Sequence, residues 1–163
     1  STTPRLREYS VDGATAIGQG NFVVLRAAGT ASMMPGNGAT NILGVAAYFV
    51  SSAGTGRKLH VFDDPKQRFE IQSDDNTITN IGLCVGGNFS LITFTRNATT
   101  KQASTLVDGN TVNTSVTSRP VKCIAVSRNV DKDETGASVS YIGVIGQFNP
   151  ETHVWAKDSS VGI

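Results

Sequence analysis

Ionisable and reactive side chains are scarce in this chain of 163 residues. Charged residues make up 17%, the formal net charge is +1, and the chain holds two histidines, two cysteines and one tryptophan. Because the charge is low, balanced and evenly spread, there is no electrostatic reason to expect direct binding of nucleic acid or an anionic membrane. His60 and His153 stand without a carboxylate or cysteine at ligand spacing, so we expect no metal site, no cofactor and no catalytic triad.

Long apolar runs are absent too. The longest, residues 42–50, is broken by Gly44 and is far shorter than the ~18 residues of a membrane-spanning helix, so it is predicted to be a buried strand. The chain opens on Ser1 with no recognisable signal peptide, and we expect synthesis and folding in a reducing cytoplasm. Cys84 and Cys123 lie in separate apolar runs and form no CxxC motif, which favours two buried thiols over a disulfide.

What remains is a composition of β-branched residues and turn formers. Valine and isoleucine total 27 residues against 9 for leucine and methionine, and this bias favours strands over helices. Glycine, serine, threonine and asparagine account for 61 residues, a proportion that favours turns. The pattern predicts a single all-β domain over 1–163 with at most one short helix. An antiparallel β-barrel and a two-sheet β-sandwich, with the jelly-roll as one possible topology, both satisfy it.

Alternation of apolar and polar residues marks the individual strands. Residues 29–41, rich in glycine and proline, are predicted to be a loop with Met33 and Met34 exposed or nearly so at its centre. Over 77–85 the apolar residues recur at spacings of two and three, which leaves helix and strand open. Asp108-Gly109 is predicted to be a hairpin turn. The predicted strands lie at 21–26, 42–50, 58–62, 68–72, 90–95, 102–107, 121–127 and 137–147.

The clearest pattern lies between residues 58 and 72. Two alternating runs flank the turn-forming sequence Asp63-Asp64-Pro65, and each places its apolar side chains on one face of a strand: Leu59, Val61, Phe69 and Ile71. The segment is therefore predicted to be a strand, a tight corner and a second strand. A second acidic pair, Asp74-Asp75, stands at the far end of the second strand, too distant to form one constellation with the first. Both pairs are interpreted as turn caps.

A few large side chains fall outside the predicted strands. They lie in an extended N-terminal arm of about 1–12, in the 29–41 loop and in a C-terminal tail of about 149–163. Apolar groups in such segments either fold back onto their own domain or contact a partner, and tryptophan and methionine are enriched at interface cores. The candidate interface residues are Leu6, Tyr9, Met33, Met34, His153 and Trp155.

Several short motifs stand out, namely Val61-Phe-Asp-Asp-Pro65, Phe69-Glu-Ile-Gln72, Ile81-Gly82, Arg119-Pro-Val-Lys-Cys-Ile124 and Ser140-Tyr-Ile-Gly-Val-Ile-Gly-Gln-Phe148. They resemble motifs of capsid decoration, or cement, proteins of tailed bacteriophages. The resemblance covers about residues 41–149 and transfers no catalytic residue.

The resemblance implies an all-β virion structural protein, made in a host cytoplasm, on the outer surface of an icosahedral head. Its partner would be the major capsid protein, whose neighbouring subunits it would bridge without catalysis. A homo-dimer or homo-trimer would match the symmetry of such a surface. The alternative is a carbohydrate- or receptor-binding β-sandwich of the virion, although aromatic residues, which usually cluster at such sites, make up only 7% of the chain.

Overall fold

The computed structural model describes residues 4–13, 15–35, 41–54, 56–74, 84–93, 97–103, 105–112, 119–127 and 143–156. These ranges contain eleven strands and one short 3₁₀ helix, Gly109–Thr111. The strands are β1 Leu6–Ser10, β2 Phe22–Leu25, β3 Ala31–Met33, β4 Ile42–Ala46, β5 Lys58–Phe62, β6 Arg68–Gln72, β7 Asn88–Phe89, β8 Leu91–Thr93, β9 Thr105–Val107, β10 Val121–Val126 and β11 Gly143–Phe148. The prediction of an all-β fold is confirmed.

Two sheets and a two-stranded ribbon form the architecture of an all-β sandwich. The five-stranded sheet has the order β1-β5-β4-β2-β3, the four-stranded sheet has the order β6-β11-β10-β7, and β8 pairs with β9. Every ladder between these strands is antiparallel. The predicted corner after β5 is confirmed: the Gln67 N–H donates to the Asp64 carbonyl at 3.0 Å, and the chain then enters β6. Because β5 and β6 belong to different sheets, this corner carries the chain from one sheet to the other.

Burial along β2 shows that the five-stranded sheet is covered on both faces. All four residues of this strand are buried, and successive side chains of a strand point to opposite faces. Phe22 and Val24 pack into a cluster with residues of the four-stranded sheet, such as Val144 and Phe148. The alternate residues belong to a second cluster on the other face, which contains Ile17, Val23, Leu25, Ala31, Leu43, Ala46, Leu59 and Val61.

Gly44 in β4 shows how closely the strands approach one another. A Cβ atom at this position would overlap the Phe62 carbonyl of the neighbouring strand β5. Only glycine therefore fits here without displacing the backbone of β5. The glycine that interrupts the longest apolar run of the sequence thus serves the packing of the sheet.

The predicted loop at 29–41 is partly wrong. Residues Ala31–Met33 form β3, and the Met34 N–H donates to the Phe22 carbonyl at 3.0 Å, so the chain stays beside β2. Met34 was expected near the surface but is buried among residues of both sheets. The physical reason is that β2 offers an unpaired edge to a segment whose own sequence carries turn signals.

The remaining expectations concern the two cysteines, the connection after β9 and residues 77–85. Cys84 and Cys123 are buried thiols and form no disulfide, as predicted. β8 and β9 pair as expected, but Asp108 caps the 3₁₀ helix, its side chain accepting from the Asn110 N–H, where a hairpin turn was predicted. The open question over 77–85 falls mostly outside the described residues.

Candidate interaction site around Asp63

A buried carboxylate lies at the point where β5 ends. Asp63 is 0% exposed, and its Oδ1 accepts a hydrogen bond from Arg5 Nε at 2.6 Å. Its Oδ2 accepts from the Tyr9 hydroxyl at 2.5 Å, and Arg5 Nη2 also donates to the Asp63 carbonyl at 2.8 Å. A buried charge is costly unless it is paired and hydrogen-bonded. The N-terminal residues Arg5 and Tyr9 therefore compensate the burial of Asp63, and Asp63 in turn holds them in place.

The register of β1 on β5 explains why these side chains converge. Arg7 lies opposite Val61 and Tyr9 opposite Leu59, and residues two apart along a strand share a face. The side chains of residues 5, 7 and 9 thus lie on one face of the arm, and Arg7 Nε stands 3.7 Å from Asp63 Oδ2. Glu8 points to the opposite face, where its carboxylate is 3.8 Å from His60 Nε2.

The C-terminal segment reaches the same region. The Ile42 N–H donates to the Thr152 carbonyl at 2.8 Å, and the Val154 N–H donates to the Ile42 carbonyl at 2.9 Å. Residues 152–154 therefore run beside the start of β4. Farther along β4, pairing with β5 begins at Val45, which lies opposite Phe62. The segment extends the five-stranded sheet near Asp63.

His153 is the buried anchor of this segment. It is 0% exposed, its ring centroid lies 4.8 Å from that of Phe148, and its Nδ1 accepts from the Trp155 N–H at 3.2 Å. Burial lowers the pKa of His153 to about 4, and the negative charge of Asp63 opposes this effect only in part. His153 is therefore a neutral ring at pH 7.

Tyr9 links the arm to the C-terminal segment. Burial and its hydrogen bond to Asp63 raise the pKa of the Tyr9 hydroxyl, whereas hydrogen bonding with Trp155 and Arg7 opposes that rise. The hydroxyl thus interacts with side chains from both ends of the chain and with the carboxylate between them. Around Asp63 the surface presents the Trp155 indole, 47% exposed, and the Arg7 side chain, 51% exposed.

The structure places the six candidate interface residues in different parts of the molecule. Tyr9, which is half-buried, and Trp155 lie at the site around Asp63, whereas Leu6, 41% exposed, lies on the opposite face of β1. His153 is at the Asp63 site too, but it is buried and supports the site from beneath, which corrects its assignment as a contact residue. Met33 is half-buried and lines a separate open pocket of about 370 Å³ together with Asp12 and Arg26. Met34 is buried, so it contributes no surface.

The described parts of the arm and the tail both pack onto the domain. Residues 6–10 are the edge strand of a sheet, and residues 149–156 fold back onto the domain. The remaining predicted arm and tail residues, 1–3 and 157–163, lie outside the described ranges.

Asp63, Arg5 and Arg7 were missed as site residues. Asp63 was interpreted as a turn cap, and its partners lie 58 and 54 residues away in the chain. The sequence carried no local signal for them, because positions 8 and 10 between and beyond these residues are polar as well.

A second feature lies beside the site, on the Leu6 side of β1. An open pocket of about 170 Å³ lies between the two sheets, with apolar walls and one amide at its rim. Its lining residues are Pro4, Val45, Phe62, Gln67, Phe69 and Phe148.

Within the described ranges, no three histidine, cysteine, aspartate or glutamate side chains lie close enough together to hold a metal ion. The part of the chain that the structure describes contains no helix long and apolar enough to cross a bilayer. No protein-family model matches the chain, and searches of curated proteins and of solved structures return no match.

Proposed function

We propose that this chain is a virion structural protein that decorates and cements the outer surface of an icosahedral phage head. It would bridge neighbouring subunits of the major capsid protein and act without catalysis. The observation that supports this proposal best is the site around Asp63. There, a buried ion pair joins the N-terminal strand to the end of β5, and the exposed Trp155 and Arg7 side chains stand beside it.

The composition of this site suits adhesion. Tryptophan, tyrosine and arginine are the residues that most often dominate the binding energy of protein interfaces. Tyr9 is tied to Asp63, and the Trp155 backbone N–H is bonded to buried His153. The Tyr9 side chain and the Trp155 backbone, held in this way, lose less conformational entropy on binding than they would on a mobile arm.

A repeating head surface would amplify a modest affinity. If each copy binds through one such site, a homo-dimer or homo-trimer engages two or three equivalent positions at once, and the second contact becomes intramolecular. A small, rigid, nearly neutral domain with a net charge of +1 fits that mode of attachment.

Co-sedimentation with the heads of the virus that encodes the chain tests the proposal. We expect the purified protein to pellet with heads stripped of it, and Trp155→Ala to weaken that binding about 30-fold, the loss of about 2 kcal/mol typical of a central interface aromatic. Tyr48→Ala is the matched control, since Tyr48 is 59% exposed and packs edge-on against His60, away from Asp63. Failure of the wild-type protein to pellet with such heads contradicts the proposal.

One observation favours the alternative of a carbohydrate-binding β-sandwich. The exposed Trp155 indole stands beside the Tyr9 hydroxyl and the Arg7 guanidinium, and sugars bind to aromatic faces flanked by hydrogen-bonding groups. Binding of the isolated protein to a glycan array, lost in Trp155→Ala, would support this function.

A further inference from the structure

We propose that the outer edge of β1 at Leu6–Glu8 is a strand-addition site for an extended peptide segment in which acidic and apolar residues alternate. The inference rests on the proposed function in one respect: it assigns that segment to the major capsid protein.

The hydrogen-bond pattern shows which backbone groups of β1 point outward. The Arg5 carbonyl accepts from the Asp63 N–H at 3.2 Å, and the Val11 N–H donates to the Arg57 carbonyl at 3.0 Å, so odd-numbered residues are bonded to the β5 side. In an antiparallel ladder the intervening residues direct both backbone groups away from the partner. The N–H and C=O groups of Leu6 and Glu8 therefore face outward.

Just after β1, one backbone group that faces away from β5 already has a hydrogen-bond partner within the protein. The Asp12 N–H, which has the same parity, donates to the Ala31 carbonyl of β3 at 2.9 Å. The bridge between Val11 and Ala31 joins the chain just after β1 to the opposite edge of the five-stranded sheet. In the described part of the chain, the outward backbone groups of Leu6 and Glu8 have no such partner.

Within the described residues, no strand or bridge covers Leu6–Glu8 on the side of β1 away from β5. The β1–β5 ladder pairs five residues without a register shift, and Leu6, Arg7 and Glu8 are all exposed. An open, regular edge strand is a template for pairing with another chain.

The edge is also held in the conformation that an added strand needs. Arg5 and Tyr9, on either side of the open stretch, are both hydrogen-bonded to the buried Asp63 carboxylate. The strand is therefore ordered before any partner binds, which lowers the entropic cost of pairing.

The side chains of β1 define the chemistry of the occupant. On one face, the Arg5 and Arg7 guanidiniums share the single Asp63 carboxylate, and Arg7 is the more distant and more exposed of the two. This excess positive charge favours aspartate or glutamate on that face of an incoming strand. On the other face, Leu6 is 41% exposed and its cross-strand neighbour Phe62 lines the apolar pocket, so apolar residues fit there.

A proline substitution tests the backbone claim directly. Glu8→Pro removes an N–H that faces away from β5, a position where edge strands tolerate proline, so the β1–β5 ladder is retained. Glu8→Ala is the matched control, because it removes the same side chain and keeps the N–H. The probe is a blocked eight-residue peptide of alternating glutamate and valine, followed by NMR titration of the full chain, with an alternating lysine and valine peptide as the charge control.

We expect the acidic peptide to bind the wild-type protein and Glu8→Ala alike, and to bind Glu8→Pro at least about tenfold more weakly. The lysine peptide should bind the wild-type protein at least about tenfold more weakly than the acidic one. Thermal unfolding of both variants verifies that they fold. No binding of the acidic peptide to the wild-type protein, or equal binding to Glu8→Pro and Glu8→Ala, overturns the inference.

Binding to stripped heads then separates this inference from the proposed function. If wild-type protein and Glu8→Pro pellet with heads equally well, this edge does not bind the capsid, and the assignment of the added segment to the major capsid protein is refuted while decoration stands. If the peptide results hold but the wild-type protein does not pellet with heads, the edge accepts strands and the assignment to a capsid is refuted.

Discussion

The buried ring of His153 should make the stability of this protein depend on pH. His153 is 0% exposed, packs against Phe148 and accepts a hydrogen bond from the Trp155 N–H, so the folded chain holds it neutral. Protonation would place a positive charge in an apolar site and turn the accepting nitrogen into a donor aimed at another donor. The folded state therefore resists a proton that the unfolded state accepts readily.

The size of this pH-dependent loss of stability follows from the lowered pKa of His153. Burial takes the pKa of His153 from 6.5 to about 4, and at about 1.4 kcal/mol for each pKa unit this corresponds to about 3 kcal/mol. Because the folded pKa lies below the unfolded one, this stability is present above about pH 6.5 and is lost as the pH falls toward about 4. Within that window the free energy of unfolding should fall by up to about 1.4 kcal/mol per pH unit from this residue alone.

Urea unfolding at several values between about pH 7.5 and pH 4 measures the effect. Carboxylates also titrate in this range, so the quantity of interest is the difference between wild-type protein and His153→Phe, which retains an aromatic ring against Phe148. We expect the variant to lose less stability than the wild-type protein over this window, by about 3 kcal/mol.

Leu91→Ala is the control for loss of stability as such. Leu91 is fully buried in the cluster between the sheets and is not ionisable, so its truncation should lower the whole curve by about 3 kcal/mol without changing its slope. If His153→Phe and the wild-type protein lose stability in parallel as the pH falls, the buried neutral histidine is not the cause and the reasoning is refuted.

Two further predictions concern the buried polar and sulfur groups. Asp63→Asn leaves the Arg5 guanidinium without its carboxylate and should lower the free energy of unfolding in urea by about 3 kcal/mol. The control is Asp64→Asn, at a half-buried turn residue, which should cost less than about 1 kcal/mol. Equal losses in the two variants would contradict the central role given to Asp63. Burial raises the pKa of Cys84 to about 11 and that of Cys123 to about 12. Neither thiol should therefore react with iodoacetamide at pH 8 in the native protein, and both should react in urea. Rapid labelling of the native protein would show that the thiols are accessible.

Local pattern was enough to predict part of this fold. The strands β5 and β6 and the corner between them follow from alternation and from Asp63-Asp64-Pro65, because the twofold period of a strand is a property of neighbouring residues. The burial of Leu59 and Val61 matches that alternation. Which sheet each strand joins is not written in the pattern, since alternation gives a face and not a partner.

The predictions for the segment around Met34 and for His153 failed for one physical reason, which is that neighbours distant in sequence determine their structure. The segment around Met34 carries glycine and proline, yet it contains a short strand because β2 presents an edge beside it. His153 and Trp155 looked alike as tail residues, but only the first reaches the interior, since residues 152–154 lie along the start of β4.

By itself the sequence determined the class of structure, the position of the main corner and the scarcity of groups that do chemistry, because composition and short-range periodicity are local properties. The tertiary structure alone decided that the carboxylate of Asp63 is buried and that Arg5 and Tyr9 bond to it, because residues separated by 54 to 58 positions meet only once β1 pairs with β5. The energy of a buried charge depends on what surrounds it, and those surroundings exist only in the folded chain.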